Sequence, residues 1–177
     1  SLELPKLKQF RETLETDAEF LCTLEELDHY PARTGVTYYG PFVKTGSGAK
    51  LDWNKGARKR IFTYVRPGTV FFNATVNALL RLPSDHDVII VAPGIAEAIV
   101  SKVQKPNVRF SNGPVRLDRL TRDCDLAINH ASAGICSVLA LAGVPMLMLP
   151  NHVEQLMFAR AVGRAGLGRG MIGKPEE

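Results

Sequence analysis

His130 closes the apolar run "LAIN" and opens the stretch "HASAG", His130 to Gly134. An imidazole there can donate a hydrogen bond to an anion, or carry charge when protonated. Ala131, Ser132, Ala133 and Gly134 are small, so a strand-to-helix turn built from them leaves backbone N–H groups uncovered. The start of the following helix adds partial positive charge, and the two together suit a phosphate or diphosphate. Further along, "NHVEQ" places Glu154 beside Gln155, a pair able to accept and donate hydrogen bonds to the vicinal hydroxyls of a sugar. Gly68 and Thr69 of "RPGT" offer a second anion contact. Each stretch also has a plain structural reading. "HASAG" can be a tight turn that packs a helix on a sheet. Asn151 can be an N-cap with Glu154 three residues on, as in a capping box, with His152 a surface or capping residue.

The elements that would hold these residues alternate. Residues 60–65, 87–92, 108–112, 125–129 and 145–150 read as strands. Residues 69–82, 95–103, 116–123, 132–143 and 152–166 read as helices between and after them, with Gly143 and Gly166 as closing residues. Continuous apolar strands such as "DVIIVA" imply burial on both faces. The expected fold is therefore α/β, a Rossmann-like parallel sheet flanked by helices. Ahead of it, residues 1–17 read as a polar helix or tail, and "AEFLCTL" (18–24) and "VTYYG" (36–40) as short strands. Residues 43–59 are rich in Gly, Ser and Lys without periodicity and read as an exposed loop. The division expected is 1–42 as an interdomain linker and entry segment, 43–59 as an exposed loop, and 60–177 as the α/β domain.

In open α/β sheets ligands sit at the carboxyl ends of strands. That rule selects "RPGT", "PGIA", "SNGPVRL", "HASAG" and "NHVEQ", each following a strand. Neither GxxxxGK[ST] nor a GxGxxG after the first strand occurs, which argues against P-loop and dinucleotide-dehydrogenase chemistry. Cys22, Cys124 and Cys136 are scattered with no CxxC, so neither a zinc site nor a disulfide framework is expected and a reducing, cytoplasmic setting is. No apolar run approaches the length of a membrane span. Net charge is +4, a mild excess without a dense basic run. "KGARKR" (55–60) and the three-residue spacing of Arg116, Arg119 and Arg122 read as solvated faces, and no nucleic-acid partner is expected.

The block from Asn129 to Gly168, with its fixed spacing from His130 to "GVP" and on to the acid–Gln pair, resembles the donor-binding half of nucleotide-sugar glycosyltransferases of GT-B architecture. It is most similar to the UDP-glycosyltransferase and macrolide-glycosyltransferase superfamily. The resemblance runs over most of residues 18–172 and implies the C-terminal domain of a longer enzyme. It implies that His130, Ser132, Ala133 and Gly134 bind the donor diphosphate. Glu154 and Gln155 would bind the donor sugar, Pro114 and Val115 the base, and Gly68 and Thr69 would lie near the phosphates or the acceptor cleft. The implied reaction is an inverting, metal-independent transfer of a hexose from a UDP- or dTDP-sugar to an acceptor hydroxyl. No cofactor or metal is expected, and the catalytic base is expected in the N-terminal domain, with neither His29 nor His86 in that role. The acceptor, a small molecule or lipid, would likewise bind through that other domain. This chain departs from the pattern at Ala131 and Ser132, which stand for two glycines, at Ile135 for a hydroxyl residue, and at Val138 for a ribose-binding Glu. The alternatives are a catalytically degenerate binding module, or a relative of lipid-linked GlcNAc-transferases and UDP-GlcNAc 2-epimerases.

Overall fold

A computed structural model describes residues 7–30 and 33–171. Six strands form one sheet: β1 (Lys59–Tyr64), β2 (His86–Val91), β3 (Val108–Ser111), β4 (Leu126–Asn129), β5 (Met146–Met148) and β6 (Gly168–Gly170). Their order is β3-β2-β1-β4-β5-β6, with every pairing parallel. Val88 to Val91 are fully buried, as expected of strands covered on both faces. Helices α1 (Phe72–Leu80) and α2 (Glu97–Val103) cover one face, where Ile61, Val65, Val88, Ile90 and Ile128 meet Phe72, Val76 and Leu79. The short α3 (Leu117–Leu120), α4 (Ala133–Leu141) and α5 (Val153–Arg164) cover the other. There Phe62, Ile89, Val91, Met146 and Met148 meet Leu120, Leu139, Phe158 and Val162.

The α/β sandwich expected from the apolar periodicity is present. Gly143 and Gly166 end α4 and α5 with φ of +69° and +75°, the left-handed conformation that a non-glycine residue adopts at a cost. Two expectations need correction, and one strand was not foreseen. Residues 18–24 and 36–40 are not strands: they meet through one isolated bridge, Leu21 to Tyr38, and Phe20 is exposed. What anchors this segment is Leu27, fully buried in a 3₁₀ turn (Glu25–Leu27) packed on α5. Residues 43–59 form no named element before Lys59, as a loop reading requires. Yet Leu51 and Trp53 are half-buried against the core, and the Trp53 indole N–H donates to the Leu120 carbonyl at 3.0 Å. Finally, β6 escapes sequence periodicity because it is three residues long and two of them are glycine. A Cβ on Gly168 would stand 2.3 Å from the Met146 carbonyl oxygen, so the close pairing with β5 requires glycine there.

Candidate functional site

The sheet order reverses between β1 and β4, so the chain leaves these neighbours in opposite directions and opens a crevice at their carboxyl ends. A cavity of about 320 Å³ lies there. β1 supplies Tyr64 to its wall and the turn after it Arg66, the loop after β3 supplies Pro114 and Val115, and the turn after β4 and the start of α4 supply His130, Ser132, Gly134 and Ile135. Five residues singled out in the sequence are thus brought together: Pro114, Val115, His130, Ser132 and Gly134.

The turn after β4 is built by Asn129. Its fully buried side chain accepts a hydrogen bond from the Ala131 N–H at 2.7 Å and one from the Cys136 thiol at 3.3 Å. This Asx-type clasp holds Ala131 at φ +62°, the one non-glycine residue with positive φ among the described residues. The left-handed conformation costs an alanine about 1–2 kcal/mol, and the clasp over-determines it. The chain then enters α4 with Ser132 as N-cap, whose hydroxyl makes no capping bond. The first N–H groups of a helix have no intrahelical partner, so those at the start of α4 are left for another acceptor. Open space surrounds the position a Cβ of Gly134 would take. Ala133 is exposed on the same first turn.

His130 is 6% exposed and its Nδ1 is buried without a hydrogen-bond partner. The Tyr64 ring lies 5.1 Å from its ring, centre to centre. Burial pushes the imidazole pKa below the usual 6.5, the nearby Tyr64 carbonyl opposes this, and the Arg66 guanidinium adds to the lowering. The neutral ring is therefore the resting form at neutral pH. Cys136, behind the turn, has its thiol pushed up to about 12 by burial, and Cys124 is pushed to about 11. Both are inert as nucleophiles.

The wall formed by Pro114 and Val115 is braced from the N-terminal segment. The Ala49 N–H donates to the Pro114 carbonyl at 2.8 Å, and the Arg116 N–H donates to the Ala49 carbonyl at 3.0 Å. These bonds make an isolated parallel bridge between Ala49 and Val115. Val115's own N–H and C=O take part in no backbone hydrogen bond among the described residues. Gly48 makes the approach possible: its φ is +102°, and a Cβ there would lie 2.3 Å from the Pro114 oxygen. Val43, Lys44 and Ser47 of this segment also line the cavity. Sequence reasoning passed them over, as it did Arg66 and Asn129. The glycine at 48 beside a Lys-rich loop was the available signal for the first group.

Other predicted site residues lie outside this wall. Gly68 (φ +81°) and Thr69 form a turn in which the Thr69 hydroxyl donates to the Arg66 carbonyl at 2.8 Å, so Arg66, not Thr69, reaches the cavity. Glu154 and Gln155 sit in the first turn of α5, after β5, the strand beside β4. Glu154 is exposed, and the Gln155 side-chain oxygen accepts the Asn151 N–H at 2.8 Å. The capping reading shifts by one residue: His152, not Asn151, is the N-cap, and Gln155, not Glu154, reaches back. Val138 is 8% exposed in the core face of α4 and is not part of the wall, whereas Ile135 is. No group of three or more His, Cys, Asp or Glu side chains among the described residues is placed to hold a metal ion. No helix among them is long and apolar enough to cross a membrane.

A six-stranded parallel sheet with helices on both faces and a cavity at its switch point defines a Rossmann-like α/β domain. Comparison with known proteins narrows the class. No family model matches the chain. Glycosyltransferase GtfC of Amycolatopsis orientalis is 36% identical over 64 residues, which are 36% of this chain and 16% of that one. Among solved structures, the spinosyn rhamnosyltransferase SpnG is 25% identical with a TM-score of 0.68, over 82% of this chain and 40% of that one. The same enzyme is also solved with thymidine diphosphate. The glycosyltransferase SnogD of Streptomyces nogalater shares the fold with a TM-score of 0.67 at 20% identity, over 86% of this chain and 43% of its own. The fold is that of the C-terminal half of GT-B glycosyltransferases such as these. It spans about two fifths of those solved chains.

Proposed function

We propose that the chain is the donor-binding, C-terminal half of an inverting, metal-independent glycosyltransferase that moves a hexose from a UDP- or dTDP-sugar to an acceptor hydroxyl. The observation that carries this reading is His130. It is a buried, neutral imidazole with an unpartnered Nδ1 in the wall of the switch-point cavity, directly before the uncapped start of α4. A donor diphosphate between them accepts the His130 N–H and the first N–H groups of α4, with Gly134 leaving room and Ser132 and Ala133 completing the nest. Arg66 and Lys44 add positive charge to the same cavity. The free N–H and C=O of Val115, beside Pro114, are available to read the edge of a pyrimidine base. Glu154 and Gln155, at the end of the neighbouring strand, take the sugar hydroxyls, with Gln155 exchanging its bond to Asn151. These donors are fixed before the sugar leaves, so they stabilise the charge that develops on the departing diphosphate without reorganising. The acceptor, its base catalyst and the inverting geometry belong to the remainder of the enzyme. The thymidine diphosphate complex of SpnG supports the nucleotide class.

Calorimetry with UDP, dTDP and the parent nucleosides tests this. Micromolar to millimolar binding of the diphosphates is expected, with His130→Ala weakening the diphosphates about tenfold, the scale of one lost hydrogen bond to a charged group, and the nucleosides little. Absence of binding to any nucleoside diphosphate by the folded chain overturns the reading. Ile135, an apolar residue in the wall, favours a second reading, a module that has lost its donor site. That reading predicts no wild-type binding and its appearance in Ile135→Thr.

A further inference from the structure

Two basic stretches that read separately as solvated faces meet around a second cavity. It has a volume of about 280 Å³ and lies by the amino end of β1, whereas the donor cavity lies beyond the carboxyl ends of the strands. Lys55 and Arg60 come from the "KGARKR" stretch, and Arg119 and Arg122 from α3 and the turn that follows it. Two acids share the wall. Asp52 holds Arg119 at 3.2 Å, and Asp123 holds Arg60 at 3.7 Å. Lys55 and Arg122 form no ion pair among the described residues, which leaves two positive charges uncompensated. The Arg60 Nε–H is buried with no acceptor. A buried donor without a partner costs free energy, and a multiply charged oxyanion in the cavity would supply both that acceptor and the missing negative charge. The remaining wall is apolar, with Leu51, Leu120 and the half-buried Trp53, so the cations face a partly desolvated space in which their attraction for an anion is less screened.

We infer that this cavity is a second anion site, separate from the donor site, that takes a small phosphate-bearing molecule through Lys55, Arg60 and Arg122. It does not depend on how the donor cavity is read. The chain carries its own probe, because Trp53 is its single tryptophan and lines the cavity. Titrating the full chain with inorganic pyrophosphate at constant ionic strength, by Trp53 emission and by calorimetry in parallel, tests the inference. A saturable emission change is expected, weakened about tenfold or more in Lys55→Gln with Arg122→Gln, as expected for loss of two charges near an anion. It is retained in His130→Ala, and regained in the charge-preserving Lys55→Arg with Arg122→Lys. Both replaced side chains are exposed, so the fold is kept, and UDP binding at the donor cavity should be unchanged. If calorimetry shows no pyrophosphate site that depends on Lys55 and Arg122, or if the Trp53 signal disappears with His130→Ala, the inference is wrong.

Discussion

At the scale of single residues, the proposed donor binding turns on His130. Its folded pKa lies below 6.5, so the folded state binds fewer protons than the unfolded chain as the pH drops below that value. The residue's contribution to stability is present above the unfolded pKa and is lost as the pH falls through the folded one. A diphosphate beside the ring favours the imidazolium and should reverse the shift. Following the His130 ring signals by NMR should give a midpoint below 6.5 in the free protein and a rise once UDP is added. A midpoint unmoved by UDP would mean that the phosphates lie elsewhere. His130 was legible in the sequence because it follows an apolar strand and precedes a run of small residues. Asn129, one position earlier, was not. An Asn at a strand end looks like any turn residue, and only the fold shows its oxygen clasping Ala131 and Cys136. Arg66 was missed for a related reason: Gly68 and Thr69 drew the eye as small residues at a strand end, while the turn they make presents their neighbour.

At the scale of elements, the brace between residues 48–49 and 114–116 joins a segment that reads as loose loop to the wall of the switch-point cavity. Gly48→Ala places a methyl group against the Pro114 carbonyl at a backbone angle unfavourable for alanine. The expected result is a loss of about 1–2 kcal/mol in stability, read by urea unfolding. Nucleoside and nucleoside diphosphate should weaken together, because the base-side wall loosens. His130→Ala, by contrast, should separate them. Equal nucleoside affinity in Gly48→Ala and wild type would show that the brace is irrelevant to the base. Strands and helices of the sheet were legible from period and length. The short bridges were not, since a single pair of backbone hydrogen bonds imposes no pattern on side chains.

At the scale of the whole molecule, one sheet carries two cores, and the segment before it is part of one of them. Leu27 is fully buried, and His29 packs edge-on against Phe158 with ring centres 5.7 Å apart. Leu27→Ala should therefore cost about 2–5 kcal/mol, as for a fully enclosed leucine, measured as a lower denaturant midpoint with unchanged slope. A loss below about 1 kcal/mol would show that residues 7–30 merely lie on the surface. Sequence reasoning expected short strands in this segment because it found apolar runs bounded by turn residues. The fold uses one leucine of a 3₁₀ turn, for which no periodic signal exists. Strand order was equally hidden. It became predictable only through the class of fold, since parallel strands with helical crossovers admit more than one order. That order has a consequence for how the molecule is made. β1 lies at the centre, yet its partner β4 begins at Leu126, so a nascent chain that has emerged only as far as β3 presents β1 as an open edge with Phe62 beside it. Until the second half is synthesised, that edge is the place where this chain can pair with the wrong neighbour.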